Sequence, residues 1–334
     1  MPTELVLGFA VAGTFVLYSL FGGADFGGGV WDLLASGPRK AEQRALIAHA
    51  LGPVWEVNHV WLIAGLVLLF SGFPRAFSAL TVALHVPLTL LLLGIVFRGT
   101  AFTFRTYDAR GDLVQRRWGL VFSVASLVSP VLLGMCVGAV VSGRIRVEGR
   151  VVVSGFFEPW LTPFALAVGV LALCLFAFLA AVYLTAEADS EPLREDFRRR
   201  ALGAGVAVFL AALGVLLLAR QGAPRVWQGL LHEPFALALH AVTALSALAA
   251  FALLWRRSFR LARVAAAVQA GFIVLGWAAS QYPYLVVPDI TLQATAASPA
   301  VQRVLLVALV VGILTVVPSI ALLLRIFQSP PTRR

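Results

Sequence analysis

The sequence has little charge, little lysine and little cysteine. Aspartate, glutamate, lysine and arginine together make up 13% of its 334 residues, which is about half the share found in soluble domains. Lys40 is the only lysine and the arginines stand in short scattered clusters, so the net charge of +10 does not indicate a nucleic-acid-binding domain. The two cysteines, Cys136 and Cys174, lie within apolar runs and show neither disulfide nor metal-ligand spacing.

Apolar residues, by contrast, make up 60% of the chain, and the mean hydropathy is +0.92. A water-soluble core of this length cannot bury so much apolar surface, whereas a lipid bilayer can cover it. Only helices and closed β-barrels span a bilayer, and barrel strands alternate apolar and polar residues. Because runs such as 304–311 are apolar at every position, we predict an all-α integral membrane protein. At about 20 residues per span, the length allows about nine transmembrane helices packed in bundles.

Apolar runs between arginine clusters and proline or glycine breaks predict nine spans within one polytopic domain, residues 1–334. The predicted spans are 5–35, 45–70, 76–97, 119–141, 161–186, 201–219, 234–255, 262–282 and 301–326. With the N-terminus outside, the inner loops hold 19 of the 26 lysines and arginines and the outer loops hold 7. Basic residues concentrate on the cytoplasmic side of membrane proteins. We therefore expect the N-terminus outside and the C-terminus inside.

Two acidic residues lie deep within the predicted spans, where an ionisable group costs at least about 2.5–3.5 kcal/mol. Asp25 lies in the glycine-rich segment 22–29 of the first span, and Glu56 lies in segment 52–61 of the second. Each is about eleven residues from the inner end of its span, or about 16 Å at 1.5 Å per residue. We expect the two carboxyl groups at one depth on adjacent antiparallel helices. The glycines allow a neighbouring helix to approach closely.

Further titratable residues extend this pair towards the inner surface. Asp32 stands seven residues after Asp25, and His49 stands seven residues before Glu56, so each shares a helix face with that acid. His59 follows Glu56 on the same side. Such a series is typical of a proton path. The alternative is that the carboxyl groups pair with histidine or arginine and only hold the helices together, and the residues alone favour neither.

Other polar residues near the spans have simpler interpretations. Arg98 and Arg105 are predicted to end the third span at the inner face, where they anchor the topology or bind a carboxylate or lipid phosphate. His85 and His240 are candidate haem ligands, but a lone histidine on an apolar helix is more often a hydrogen-bonded packing residue. No metal-binding residue is predicted in this chain.

Several motifs follow one another in the first 105 residues. They are Asp25-Phe26-Gly27, the segment Gly52-Pro53-Val54-Trp55-Glu56-Val57-Asn58-His59-Val60-Trp61-Leu62, Phe70 to Pro74, and Phe97-Arg98-Gly99 to Phe104-Arg105. Together they resemble subunit II of the cytochrome bd-type quinol oxidases, including the cyanide-insensitive branch. The likeness is strongest in residues 18–105 and returns in 281–297, which contains Tyr282-Pro283-Tyr284.

The resemblance implies a fold, a partner and an activity. Subunit II of these oxidases is a nine-helix chain that forms a pseudo-symmetric heterodimer with subunit I in the bacterial cytoplasmic (inner) membrane. Subunit I carries haem b and haem d, so the catalytic site is expected in the partner and no catalytic residue is expected here. The complex oxidises quinol and reduces O2 to water. It is electrogenic without pumping, because protons for water formation come from the inside. A small accessory subunit and a structural quinone or lipid against this chain are left open.

Matched by motif, Glu56 occupies the acidic position that the family associates with proton delivery. Asp25 occupies the acidic position of the glycine-rich turn. The acid after Trp55 is aspartate in many relatives and glutamate here. An additional acid that the family often has before the turn is a glycine here. The predicted proton path consists of Glu56, Asp25, Asp32, His49 and His59. The predicted structural motif residues are Trp55, Asn58, Arg98 and Arg105.

Two other functions remain candidates at this stage. An ion-coupled transporter would use Asp25 and Glu56 as a coupling-ion site at mid-depth. A non-catalytic scaffold subunit of another membrane complex would use them only for stability. The two halves of the sequence show no internal similarity that supports a transporter.

Overall fold

The computed structural model describes residues 2–51, 54–107 and 112–327, and this part of the chain is almost entirely helical. The helices are α1 (Thr3–Leu33), α2 (Lys40–Leu51), α3 (Val54–Gly72), α4 (Pro74–Ala83), α5 (His85–Tyr107), α6 (Asp112–Val141), α7 (Pro163–Glu187), α8 (Glu191–Gly222), α9 (Pro224–Leu231), α10 (Ala236–Trp255), α11 (Phe259–Gln281), α12 (Leu292–Thr295) and α13 (Pro299–Phe327). The strands are β1 (Val147–Glu148), β2 (Val151–Val152), β3 (Tyr284–Val286) and β4 (Ile290–Thr291). Strands β1 and β2 form one antiparallel pair, and β3 and β4 form another.

Eight helices in the described ranges are long and apolar enough to cross a membrane. They are α1, α5, α6, α7, α8, α10, α11 and α13. Residues 58–72 of α3 and the following α4 pass the same test as a pair, but their axes are bent by 117°. The all-helical fold class with about nine spans is therefore confirmed, while the predicted orientation of the termini stays a prediction.

The segment 45–97 differs from its prediction of two continuous spans. Pro74 occupies the first turn of α4, where a missing N–H is tolerated, and the residue before a proline is driven out of the helical conformation. Phe73 accordingly has φ −138° and ψ 60°. The backbone groups freed by this bend are paired, because the Ala297 amide donates to the Gly72 carbonyl oxygen at 2.8 Å.

This break moves the next span along the chain. Helix α5 begins at His85, about nine residues later than predicted, and its 23 residues place Arg98 near the middle of the helix. The expectation that Arg98 ends the span at the inner face is therefore wrong. An arginine in the middle of an apolar helix needs a partner within the bundle.

Helix α7 is the centre of the bundle. It packs against α1, α6, α8 and α11, and every residue from 175 to 182 is buried. Its start is fixed by Pro163 in the first turn and by Thr162, whose hydroxyl accepts a hydrogen bond from the Ala165 amide at 3.1 Å. Helix α13 differs, because only 6% of its apolar stretch within residues 299–320 is buried in this chain.

Candidate functional site

An ion pair joins α1 to α5 in the interior. Arg98 donates from Nη2 to Asp25 Oδ1 at 2.5 Å and from Nη1 to Oδ2 at 2.7 Å. Its Nη2 also donates to the backbone oxygen of Asp25 at 2.9 Å. The two side chains are 3% and 0% exposed. Two opposite charges are thus held away from water by a bidentate contact, the geometry that best offsets the cost of desolvation.

Two neutral side chains complete the hydrogen bonding of this pair. Asn58 on α3 donates from Nδ2 to Asp25 Oδ2 at 2.6 Å. Ser126 on α6 accepts from Arg98 Nε at 2.9 Å. Both residues are fully buried. The cluster of Asp25, Arg98, Asn58 and Ser126, here called the central cluster, therefore links α1, α3, α5 and α6 at one level.

Two phenylalanine rings enclose the guanidinium group of Arg98. Its central carbon lies 5.0 Å from the ring centre of Phe26 and 4.7 Å from that of Phe122. A guanidinium over the face of an aromatic ring is attracted by the ring's electrons. Because Phe26 stands on α1 and Phe122 on α6, the arginine is held between the helices that it joins.

The glycine-rich segment of α1 lets α7 approach the central cluster. A Cβ at Gly27 would fall well inside van der Waals contact with the backbone oxygen of Phe176 on α7, so any larger residue would push the two helices apart. Four residues later, Trp31 donates from Nε1 to the backbone oxygen of Ala177 at 2.7 Å. These contacts fix α1 against the central helix and match the close approach expected from the glycines.

A second buried carboxylate lies seven residues further along α1. Asp32 is 1% exposed, and Ser123 Oγ on α6 donates to its Oδ2 at 3.4 Å. Arg44 on α2 donates to the backbone oxygen of Asp32 at 3.3 Å, and its Nε lies 3.8 Å from Oδ1. At 1.5 Å per residue, Asp32 and Asp25 are about 10 Å apart along the helix axis. Helix α1 therefore presents two buried acids at two levels.

A polar network beside Asp32 is nearer to solvent. Arg39 donates to both carboxylate oxygens of Asp196 on α8, at 2.8 and 2.6 Å, and these hydrogen bonds raise the pKa of Arg39. Gln43 donates to the same carboxylate at 2.9 Å and accepts from Arg200 at 2.8 Å. The side chains of Arg39 and Asp196 are 36% and 19% exposed. This network fastens the start of α2 to α8.

The structure brings some predicted site residues together and separates others. Those that meet in the central cluster are Asp25, Asn58 and Arg98. The side chains of Trp55, Glu56 and Arg105 lie outside the described residues, so the roles predicted for them stay predictions.

The two histidines of the predicted path lie on α2 and α3. We expected His49 and Glu56 on one face of a single span. His49 lies on α2, which is described to Leu51, and the side chain of Glu56 lies outside the described residues, so the shared face stays a prediction. His49 is exposed on α2, and His59 is half-buried on α3. A cavity of about 230 Å³ is lined by His59, Phe26, Ile95, Val96, Arg98 and Gly99.

The candidate haem ligands have local hydrogen bonds. His85 Nδ1 lies 2.8 Å from the backbone oxygen of Val82, and His240 Nδ1 lies 2.7 Å from that of Ala236. Both residues are exposed, and these contacts fit the interpretation of hydrogen-bonded packing residues. Among the described residues, no three histidine, cysteine, aspartate or glutamate side chains form a group that could hold a metal ion.

Three buried serines of α6 were not among the predicted site residues. Ser123, Ser126 and Ser129 are 1%, 0% and 0% exposed, and two of them contact Asp32 and Arg98. This span carries mostly aliphatic residues and glycine, a composition typical of helix packing, and its serines were therefore not predicted as functional residues. The signal that could have identified them is their spacing of three residues, which places all three on nearly one face.

Comparison with known proteins identifies the family. The model of the family described as cytochrome bd terminal oxidase subunit II matches residues 3–327. The chain belongs to this family. A relative named putative cytochrome bd menaquinol oxidase subunit II, from Bacillus subtilis (strain 168), is 22% identical over 98% of this chain and 96% of its own length. Cytochrome bd-I ubiquinol oxidase subunit 2 of Escherichia coli (strain K12) is 27% identical over 54% of this chain and 45% of its own length.

The same architecture occurs in a solved structure. The bd oxidase from Geobacillus thermodenitrificans contains a chain that matches with a TM-score of 0.83 at 24% identity, covering 98% of this chain and 99% of the other. This likeness shows that the bd-oxidase fold is shared over almost the whole length.

Membership in the cytochrome bd subunit II family confirms the predicted family and function. The protein is a subunit of a terminal quinol oxidase, a quinol:O2 oxidoreductase complex, and a multi-pass protein of the bacterial cytoplasmic membrane. The family implies a complex with subunit I and haem in that partner subunit. The transporter and scaffold alternatives are not favoured by the match.

Proposed function

We propose that this chain delivers protons from the cytoplasmic side of the membrane to a haem-bearing subunit I. The haems b and d, when bound in that partner, supply the electron transfer and the reduction of O2. The part of this chain is to take up, hold and pass protons at its own carboxyl groups, and to fix the helices that line the route. The proposal leaves room for a small accessory subunit and for a structural quinone or lipid.

The observation that carries the proposal is the pair of buried acids on α1. Asp25 and Asp32 are 0% and 1% exposed, although a carboxyl group within a membrane costs several kcal/mol unless it has a function or a partner. Asp32 is held by side chains of α2 and α6, and Asp25 by side chains of α3 and α5. The acids thus form two steps of a polar route through an otherwise apolar bundle.

The central cluster gives this route a fixed electrostatic centre. The guanidinium of Arg98 is compensated by the carboxylate of Asp25, so the pair carries no net charge against an approaching proton. Asn58 binds the same carboxylate and thereby fixes α3 against α1. Because Glu56 stands two residues before Asn58 on α3, this contact also positions the backbone that carries Glu56, the residue that we propose as the next proton carrier.

The direction of delivery follows from the predicted orientation. With the N-terminus outside, α1 runs inward, so Asp32 is nearer to the cytoplasm than Asp25. Arg39, Arg44 and Arg200 surround that end of the helix. Basic residues are typical of the cytoplasmic end of a span.

The test is quinol-dependent O2 uptake by the purified two-chain complex, comparing wild type with Glu56→Gln and Asp32→Asn. Removing a positioned proton-transfer group lowers turnover by about 10²–10⁴-fold, so we expect a large loss in Glu56→Gln with the haem spectrum unchanged. A complex reconstituted in vesicles is expected to take up fewer protons from the cytoplasmic side per unit time.

The matched control is Asp196→Asn, which changes a carboxylate of the same charge outside the buried route. Its turnover is expected to equal that of wild type. If both Glu56→Gln and Asp32→Asn also kept wild-type turnover, the carboxyl groups would be structural and the proposed proton delivery would be wrong.

A further inference from the structure

Two of the three buried serines of α6 contact Asp32 and Arg98, the residue that pairs with Asp25. Ser123 Oγ donates to Asp32 Oδ2 at 3.4 Å, and Ser126 Oγ accepts from Arg98 Nε at 2.9 Å. From Ser123 to Ser129 the helix rises about 9 Å, close to the rise of about 10 Å from Asp32 to Asp25. The serines therefore cover the gap between the two levels of the polar route.

Glycines on two other helices make room for these hydroxyl groups. A Cβ at Gly29 of α1 would fall inside van der Waals contact with Ser126 Oγ, and a Cβ at Gly94 of α5 would do the same with Ser129 Oγ. Two successive serines are thus each opposed by a residue without a side chain, from different helices. The space that a side chain would fill at these two glycines is occupied by the serine oxygen atoms.

The same region contains polar atoms whose hydrogen bonding is incomplete. Within the described part of the chain, Ser129 Oγ and Asn58 Oδ1 have no hydrogen-bond partner, although both residues are 0% exposed. Buried polar atoms without protein partners commonly bind ordered water. Residues three apart on a helix have Cβ atoms about 5–6 Å apart, a gap that one water can bridge with two hydrogen bonds of about 2.8 Å.

We propose that Ser123, Ser126 and Ser129, with water molecules between them, form a hydroxyl ladder that carries protons between Asp32 and the level of Asp25 in the central cluster. This proposal rests on the proposed function of proton delivery. Each serine accepts a proton at Oγ from the water on one side and releases its own hydroxyl proton to the water on the other. One O–H bond forms as one breaks, so the serine ends each transfer unchanged apart from the rotation of its hydroxyl.

Ser126 is the step that controls the ladder. Its hydroxyl donates to the backbone oxygen of Phe122 at 2.7 Å while it accepts from Arg98. To pass a proton it must rotate away from that carbonyl oxygen. The Arg98 charge would oppose a proton at this point, but the Asp25 carboxylate compensates that charge at hydrogen-bond distance.

The experiment replaces each ladder serine by alanine in the complete oxidase complex and measures quinol-dependent O2 uptake in H2O and in D2O. We expect turnover of Ser126→Ala to fall by about tenfold, less than for loss of a carboxyl group, because water can occupy part of the vacated space. The solvent isotope effect on turnover is expected to rise, while the haem spectrum and the KM for quinol stay unchanged. Ser123→Ala, which loses a single long hydrogen bond, keeps the proposal testable if Ser126→Ala fails to assemble.

The control is Ser246→Ala on α10, whose hydroxyl is also buried and donates to a backbone oxygen of its own helix, that of Thr243 at 3.0 Å. If the ladder variants behaved like this control while Asp32→Asn lost turnover, the ladder would be wrong and the proton delivery would stand. If Asp32→Asn and Glu56→Gln kept wild-type turnover as well, the ladder and the proposed proton delivery would both be wrong. A loss of turnover with an unchanged isotope effect would show a packing role and overturn the ladder.

Discussion

Two arginine–aspartate pairs in this chain are both bidentate but have different surroundings. Arg98 and Asp25 are 3% and 0% exposed, whereas Arg39 and Asp196 are 36% and 19% exposed. Attraction between charges increases as water is excluded, and so does the cost of leaving either charge alone. A bidentate contact alone therefore does not show how much a pair contributes to stability. The depth of a pair determines how much of the structure depends on it.

The largest effect is expected for Arg98→Met. This change leaves the Asp25 carboxylate buried without its cation, and breaking a buried pair in this way typically costs about 3–5 kcal/mol. We expect little assembled complex, measured as haem per milligram of purified protein and as its melting midpoint. Arg39→Met is the matched control at the surface. Equal loss in both variants would contradict the comparison.

Removing both charges of the buried pair is expected to restore much of what the single change loses. In Asp25→Leu/Arg98→Met no unpaired charge remains, and apolar replacement of a buried ion pair is often close to neutral in stability. Assembly should therefore recover towards wild type, while turnover stays low because the polar route is interrupted. If the double variant assembled no better than Arg98→Met, the pair would act through its hydrogen bonds to Asn58 and Ser126 more than through its charge.

A smaller effect is expected from packing on α1. Gly27→Ala places a methyl group against the backbone of Phe176 and should cost about 1–3 kcal/mol, as overpacking does. Gly13→Ala on the same helix has no atom within 4 Å of the new Cβ and should be neutral or slightly stabilising. The melting midpoints of the two complexes test this contrast. An equal decrease of the melting midpoint in Gly13→Ala and Gly27→Ala would contradict it.

The smallest effect is expected for Asp196→Asn. Exposed ion pairs contribute little and are screened by salt, so the melting midpoint should stay within about 2 °C of wild type at physiological ionic strength. The difference should widen at low ionic strength. A large shift that is independent of salt would place this pair in the same class as Arg98 and Asp25.

Most of the fold could be predicted from the sequence, because a long apolar run in a membrane has few structural alternatives to a helix. The prediction failed where a local break in the helices changed the position of the residues that follow it. The bend at Pro74 shortened one helix and delayed the next, so Arg98 was expected at a membrane surface and lies in the interior. Hydropathy could not reveal this, since α3, α4 and α5 are all apolar and Pro74 marks only the break between α3 and α4.

The site was predictable in part for a similar reason. Asp25 could be recognised because an acid in an apolar span is expensive, and Asn58 and Arg98 through the family motifs. The contact between Asp25 and Arg98 joins residues 73 positions apart, which no local pattern encodes. The serines of α6 were not predicted, because aliphatic residues and glycine dominate that span and indicate helix packing. Only the residues that contact these serines distinguish a packing role from a role in the polar route.

The distance in sequence between Asp25 and Arg98 has a consequence for how the protein is made. At synthesis rates of 5–20 residues per second, the 73 residues that separate them take about 4–15 s to emerge. During that interval the first helix carries an acid whose cation has not yet been synthesised. We therefore expect α1 to remain loosely held at the insertion machinery until α5 arrives. The first several helices would then fold together, and the spans would not be added one at a time.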